Sequence, residues 1–166
     1  MRKVVLSVLV DNTSGVLNRV AGLFSRRSFN IDSLTVSETE NPLYSRMTIV
    51  VHGDEETLEQ IKKQMLKLVD VKEIKELTAG ESVCRELVLV KVAVNAEERP
   101  QITAIADSFR AKIVDVAKHS MMLELTGNEN KLEAFIELLN GFEILELVRT
   151  GLTGLTRGAT DLKEQQ

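Results

Sequence analysis

The stretch KVVLSVLVDNTSGVL, Lys3 to Leu17, decides the fold. From Lys3 to Val10 the residues are mostly Val or Leu, a short apolar run that reads as a well-buried strand. Asp11, Asn12, Thr13, Ser14 and Gly15 form a polar turn, and beyond it Val16, Leu17, Val20, Leu23 and Phe24 recur at three- and four-residue steps. That spacing predicts a helix from Gly15 to Arg27. A strand that bends this sharply into a helix leaves backbone N–H groups of the first helical turn without acceptors, a setting suited to a carboxylate. Asn12, Thr13 or Ser14 offers a side-chain oxygen to cap the helix, and Gly15 lets the backbone pass close to a neighbour. Taken alone, the turn implies only a capped helix, because such residues are common at helix starts.

Downstream, Ile31, Leu34 and Val36 enter a second strand, Asn41 and Pro42 punctuate it, and Met47 to His52 form a third. Leu58, Ile61, Met65, Leu66 and Leu68 mark a second helix with Glu55, Glu56 and Glu59 early and Lys62, Lys63 and Lys67 late, as the helix dipole favours. Val71 to Leu77 alternates like a half-solvated strand. The same order then returns: strand 86–94, helix 97–111, strands 113–118 and 121–125, helix 129–139 and strand 143–148. The fold class expected is α+β, as two tandem ferredoxin-like βαββαβ modules, each with two helices over one face of a four-stranded antiparallel sheet. The boundaries are 1–78 for the first domain, 79–85 for a linker, 86–158 for the second domain and 159–166 for a flexible tail. The Gly-bearing stretch from Thr150 to Gly158 lacks a phosphate-loop pattern and reads as tail. Each sheet leaves one face without helices, and a module of this size hides only a modest share of its surface. Pairing with a second copy, at least a homodimer, is therefore expected.

Composition narrows the function. The chain has 166 residues, 43% hydrophobic and 28% charged, with a formal net charge of -4. That balance argues against a nucleic-acid partner, which needs a basic face. The only cysteine is Cys84, so no intramolecular disulfide is expected, and no Cys/His cluster has metal-ligand spacing. Ser7, Asp11 and Asn12 interrupt the first apolar run before a signal core or membrane span forms, so no membrane association and a cytoplasmic location are expected. His52 and His119 lie apart near strand ends without a nucleophile motif, and no catalytic set is evident. Met121 and Met122 read as sheet residues and Cys84 as incidental.

Four segments together carry a specific resemblance: Asp-Asn-Thr-Ser-Gly-Val-Leu at 11–17, Gly-Leu-Phe-Ser-Arg-Arg at 22–27, Phe-Asn-Ile-Asp-Ser-Leu-Thr-Val at 29–36 and Ser-Arg-Met-Thr-Ile-Val-Val at 45–51. They resemble the ACT domain of the acetolactate synthase (acetohydroxyacid synthase) small-subunit family. The likeness continues through Gln60 to Val71, Arg85 to Val92, Phe109 to Val116 and the ending from Arg149 to Gly158.

The resemblance implies a non-catalytic regulatory subunit that activates a large catalytic subunit and confers feedback inhibition. It also implies valine or a related branched-chain amino acid bound between ACT domains of two subunits. By position, Asn12, Ser14, Gly15, Val16 and Leu17 would meet the ligand from one subunit, and Asn30 and Ile31 from the other. Thiamine diphosphate, Mg²⁺ and FAD would all sit on the large subunit. Where the family usually has Gly, this chain has Ser28, and a left-handed backbone there costs something like 1 kcal/mol. The competing reading is a free-standing amino-acid-responsive regulator of a non-enzyme partner, which no helix-turn-helix or basic segment supports.

Overall fold

The computed structural model describes residues 1–158. It divides into two compact units, one comprising Met1–Cys84 together with the described residues from Leu152 onward, the other Arg85–Gly151. In the first unit β1 (Arg2–Asp11), α1 (Val16–Arg26), β2 (Ile31–Glu38), β3 (Tyr44–Gly53), α2 (Glu55–Leu66) and β4 (Val71–Glu76) follow one another. The strands form a sheet ordered β2-β3-β1-β4, with antiparallel neighbours throughout. The second unit repeats the plan with β5 (Ser82–Ala93, whose first residues, Ser82–Cys84, group with the first unit), α3 (Arg99–Phe109), β6 (Lys112–Val116), β7 (Ser120–Gly127), α4 (Glu129–Leu139) and β8 (Ile144–Arg149), in the order β6-β7-β5-β8. Both expected βαββαβ modules are present.

Period-two alternation places each core. In β1, Val4, Leu6, Val8 and Val10 are buried against Val16, Val20, Leu23 and Phe24 of α1 and Leu58, Ile61 and Met65 of α2. In β5, Val88, Val90 and Val92 meet Ile102 and Ala106 of α3 and Leu132, Phe135 and Leu139 of α4. Burying each larger apolar side chain contributes about 1.5–3 kcal/mol, which makes these two stripes the main favourable term in either unit.

The helix termini follow local rules. Asp54 caps α2 by accepting from the Thr57 backbone N–H at 2.7 Å, which holds its carboxyl below the ordinary range. Asn128 caps α4 by accepting from the Lys131 N–H. α1 exits through Ser28 at φ 57, with Ser28 N–H donating to Ser25 C=O and Phe29 N–H to Phe24 C=O. The Phe24 and Phe29 rings close this Schellman turn edge to face at 6.2 Å. The left-handed turn expected at Ser28 is thus present.

Three expectations need correction. The segment from Leu152 to Gly158 groups with the first unit rather than the second domain, and it is not featureless, since β9 (Thr153–Thr156) pairs with β5. Strand β5 already begins at Ser82, so only the first part of the expected 79–85 linker lies outside a strand. Gly154 explains the close docking of β9: a methyl group there would stand 2.6 Å from Cys84 Sγ and 2.7 Å from the Val83 carbonyl oxygen.

Third, the helix-free face of the first sheet is not wholly bare. β9 lies against β3, an interior strand whose other face the helices occupy, so β9 covers the open face. Ser7, Thr48 and Val50, which alternate with the helix-facing residues, are accordingly 2% exposed or less within the single chain. The tail expected at 159–166 lies outside the described residues. Among the described residues no helix is long and apolar enough to cross a membrane.

Candidate effector site

The turn between β1 and α1 is built by long-range hydrogen bonds rather than by a cap. Asp11 N–H donates to Asp70 C=O at 2.9 Å and Asn12 N–H to Leu43 C=O at 2.8 Å. The Asn12 side chain is engaged at both ends, Nδ2 donating to Pro42 C=O and Oδ1 accepting from Ser45 Oγ. It therefore ties the turn to the β2–β3 connection and does not cap the helix. No side chain does: the N-cap position is Gly15, at φ 86, a left-handed conformation that an L side chain rarely adopts. The expectation of a cap from Asn12, Thr13 or Ser14 is corrected accordingly. The first hydrogen bond of α1 runs from Arg19 N–H to Gly15 C=O. The preceding N–H groups, from Val16 to Asn18, lie in the first turn and have no intrahelical acceptor.

The other site residues divide by burial. Ser14 is exposed and Leu17 is 46% exposed, whereas the Val16 side chain is in the core, so Val16 offers a ligand only its backbone. Asn30 is exposed and donates through Nδ2 to Asp32 Oδ1 at 3.4 Å. Asp32 also bonds His52 Nδ1 at 2.8 Å. Ile31 is half-buried and packs against the core from the start of β2.

Register separates these two groups within one chain. Val4 pairs with Val51 and Val51 with Ile31, whereas Asp11 pairs with Tyr44 at the far end of the same strands. With about 3.3 Å per residue, the Asn12 turn and Asn30 stand at opposite ends of the sheet, roughly 20 Å apart.

Three residues not foreseen from the sequence, Arg19, Asp70 and Lys72, complete the turn. Arg19 donates from Nε and Nη2 to the two oxygens of Asp70 at 2.6 and 3.0 Å. The guanidinium holds the Asp70 carboxyl, which is 8% exposed, below the ordinary carboxylate range. Lys72 Nζ lies 3.3 Å from Asp11 Oδ2, adding a second cation. Asp70 lies far from the turn in sequence, so periodicity could not find this pair. The four-residue step from Gly15 to Arg19 is the one available signal, because it places Arg19 over the turn. Among the described residues no group of three or more His, Cys, Asp or Glu is placed to hold a metal ion.

Two α+β sandwiches of this topology, one with a Gly-bearing, uncapped turn before its first helix, define a tandem ACT-type architecture. Residues 6–73 match the family model for the acetohydroxyacid synthase small subunit-like ACT domain, and residues 85–158 match that for the small subunit of acetolactate synthase. The chain is 48% identical to a probable acetolactate synthase small subunit of Methanothermobacter thermautotrophicus, over 93% of each chain. It is also 48% identical to the acetolactate synthase small subunit of Haemophilus influenzae, covering 98% of this chain and 99% of that protein. The crystal structure of the Thermotoga maritima acetolactate synthase small subunit superposes with a TM-score of 0.88 at 42% identity, covering 95% of this chain and 99% of that one. The chain belongs to the acetolactate synthase small-subunit family.

Proposed function

We propose that this chain is the regulatory subunit of an acetolactate synthase complex in the cytoplasm. It activates a large catalytic subunit and carries feedback inhibition by valine or a related branched-chain amino acid. Catalysis, with thiamine diphosphate, Mg²⁺ and FAD, belongs to the large subunit.

The observation that carries this reading is the uncapped entrance of α1. Gly15 presents no side chain, and the N–H groups behind it are available to a carboxylate at the positive end of the helix dipole. Asn30 supplies an amide whose oxygen can accept from an ammonium group. Since the Asn12 turn and Asn30 lie at opposite ends of one sheet, a site that uses both draws them from two copies of the chain, which favours a homodimer with the effector at its seam. An effector held there alters activity only by binding two states of the complex with different affinity.

Reconstitution with the catalytic subunit of the same complex tests the reading. The small subunit should raise the synthase rate, and added valine should lower it again. An unchanged rate in both conditions removes the proposal.

A further inference from the structure

We propose that Arg19 is a charged recognition residue for the effector's carboxylate, an inference that rests on the effector site proposed above. Each unit holds a nearly buried acid with a two-pronged arginine. In the second unit Arg149 donates from Nε and Nη2 to Glu86, which is 5% exposed, and its remaining Nη1 donates to Glu133 at 2.7 Å. All three nitrogens are engaged.

In the first unit Arg19 makes the same pair of bonds to Asp70, but its Nη1 makes no hydrogen bond to any described residue. That nitrogen lies against the turn: a methyl group placed on Gly15 would come within 2.8 Å of it. The absence of a side chain at Gly15 is what lets the guanidinium reach this position. Asp70 fixes the plane of the guanidinium and aims the third donor at the entrance of α1. There a carboxylate gains a charge-assisted hydrogen bond beside the backbone N–H groups. The arrangement selects a ligand with an ionised carboxyl group over its neutral amide.

Calorimetric titration of the full-length chain with valine and with valinamide tests this. The intact protein should bind valine more tightly than valinamide. Arg19→Gln should shrink that preference by about tenfold, the scale of one charge-assisted hydrogen bond. The double variant Arg19→Gln, Asp70→Asn keeps a neutral side-chain pair, so the ratio remains measurable where the single variant fails to fold. A purely structural role would weaken both ligands equally and leave the ratio unchanged, and that result overturns the assignment. No heat with valine in the intact protein would overturn the effector site itself, and the role of Arg19 with it.

Discussion

The entrances to α1 and α3 start from the same spacing and finish in opposite chemical states. Asn12 stands four residues before the first residue of α1, and Asn95 four residues before that of α3. At Asn95 the turn closes on itself: Glu98 Oε1 accepts from Asn95 N–H at 3.1 Å and Asn95 Oδ1 accepts from Glu98 N–H at 2.8 Å. This reciprocal pair has the bonding of a capping box and closes the turn just ahead of α3, although the N-cap position, Glu98, has no side-chain cap of its own. In the first unit the Asn12 side chain turns away to Pro42 and Ser45, and Gly15 replaces the glutamate. The same backbone plan is self-sufficient in one unit and open in the other.

The largest expected effect comes from closing the open turn. Gly15→Asp places a charge against the carboxylate of the proposed effector, and like-charge contact of this kind costs several kcal/mol. Valine affinity, read by calorimetry, should fall by about 100-fold or more, while activation of the catalytic subunit persists. Unaltered valine affinity would erase the functional contrast between the two turns.

Next is the strand that only the first unit recruits. Gly154→Val drives a side chain into Cys84 Sγ and the Val83 carbonyl, and overpacking of this order costs about 1–3 kcal/mol. Urea denaturation should show the loss, together with increased hydrogen exchange at Thr48 and Val50. Breaking the closed turn should do less: Asn95→Ala removes one capping oxygen and costs about 1 kcal/mol, with valine affinity unchanged.

Acid gives a further contrast. The Arg19 guanidinium depresses the folded-state pKa of Asp70, so this pair stabilises the fold above the ordinary aspartate value of 3.8. That contribution disappears as pH falls from there through the lower folded value. Asp70→Asn should flatten the acid limb of a stability-versus-pH curve in that window. The smallest effect belongs to a feature that the units share. α1 and α3 both exit through a non-glycine residue with positive φ, Ser28 at 57° and Arg110 at 58°. Ser28→Gly and Arg110→Gly should each shift stability by no more than about 1 kcal/mol, because relief of backbone strain is offset by the greater freedom of glycine when unfolded.

What the sequence disclosed and what it concealed follow from the range of the forces involved. The apolar runs of β1 and β5 and the helical stripes of α1 and α2 are local patterns, and they foretold the element order. The left-handed Ser28 was anticipated through the resemblance, since the family usually has Gly at that helix exit. β9 escaped notice, as four residues containing a glycine carry no period, and Gly154 acquires its meaning only from Val83 and Cys84 across the strand pair. The site was legible as a turn but not as a network. Asn12 looked like a cap, whereas its bonds go to residues about thirty positions away, and the partner of Arg19 lies beyond two further strands.

The return of β9 to the first unit alters how the chain should be dissected. The backbone crosses from one unit to the other at Cys84–Arg85 and back at Gly151–Leu152, so the second unit is an insertion within the first rather than a bead strung after it. Cutting the gene after the apparent first repeat would strip a cover from the floor of the remaining sheet and expose Ser7, Thr48 and Val50 to water. A faithful minimal version of the first unit would instead excise Arg85–Gly151 and rejoin the flanks.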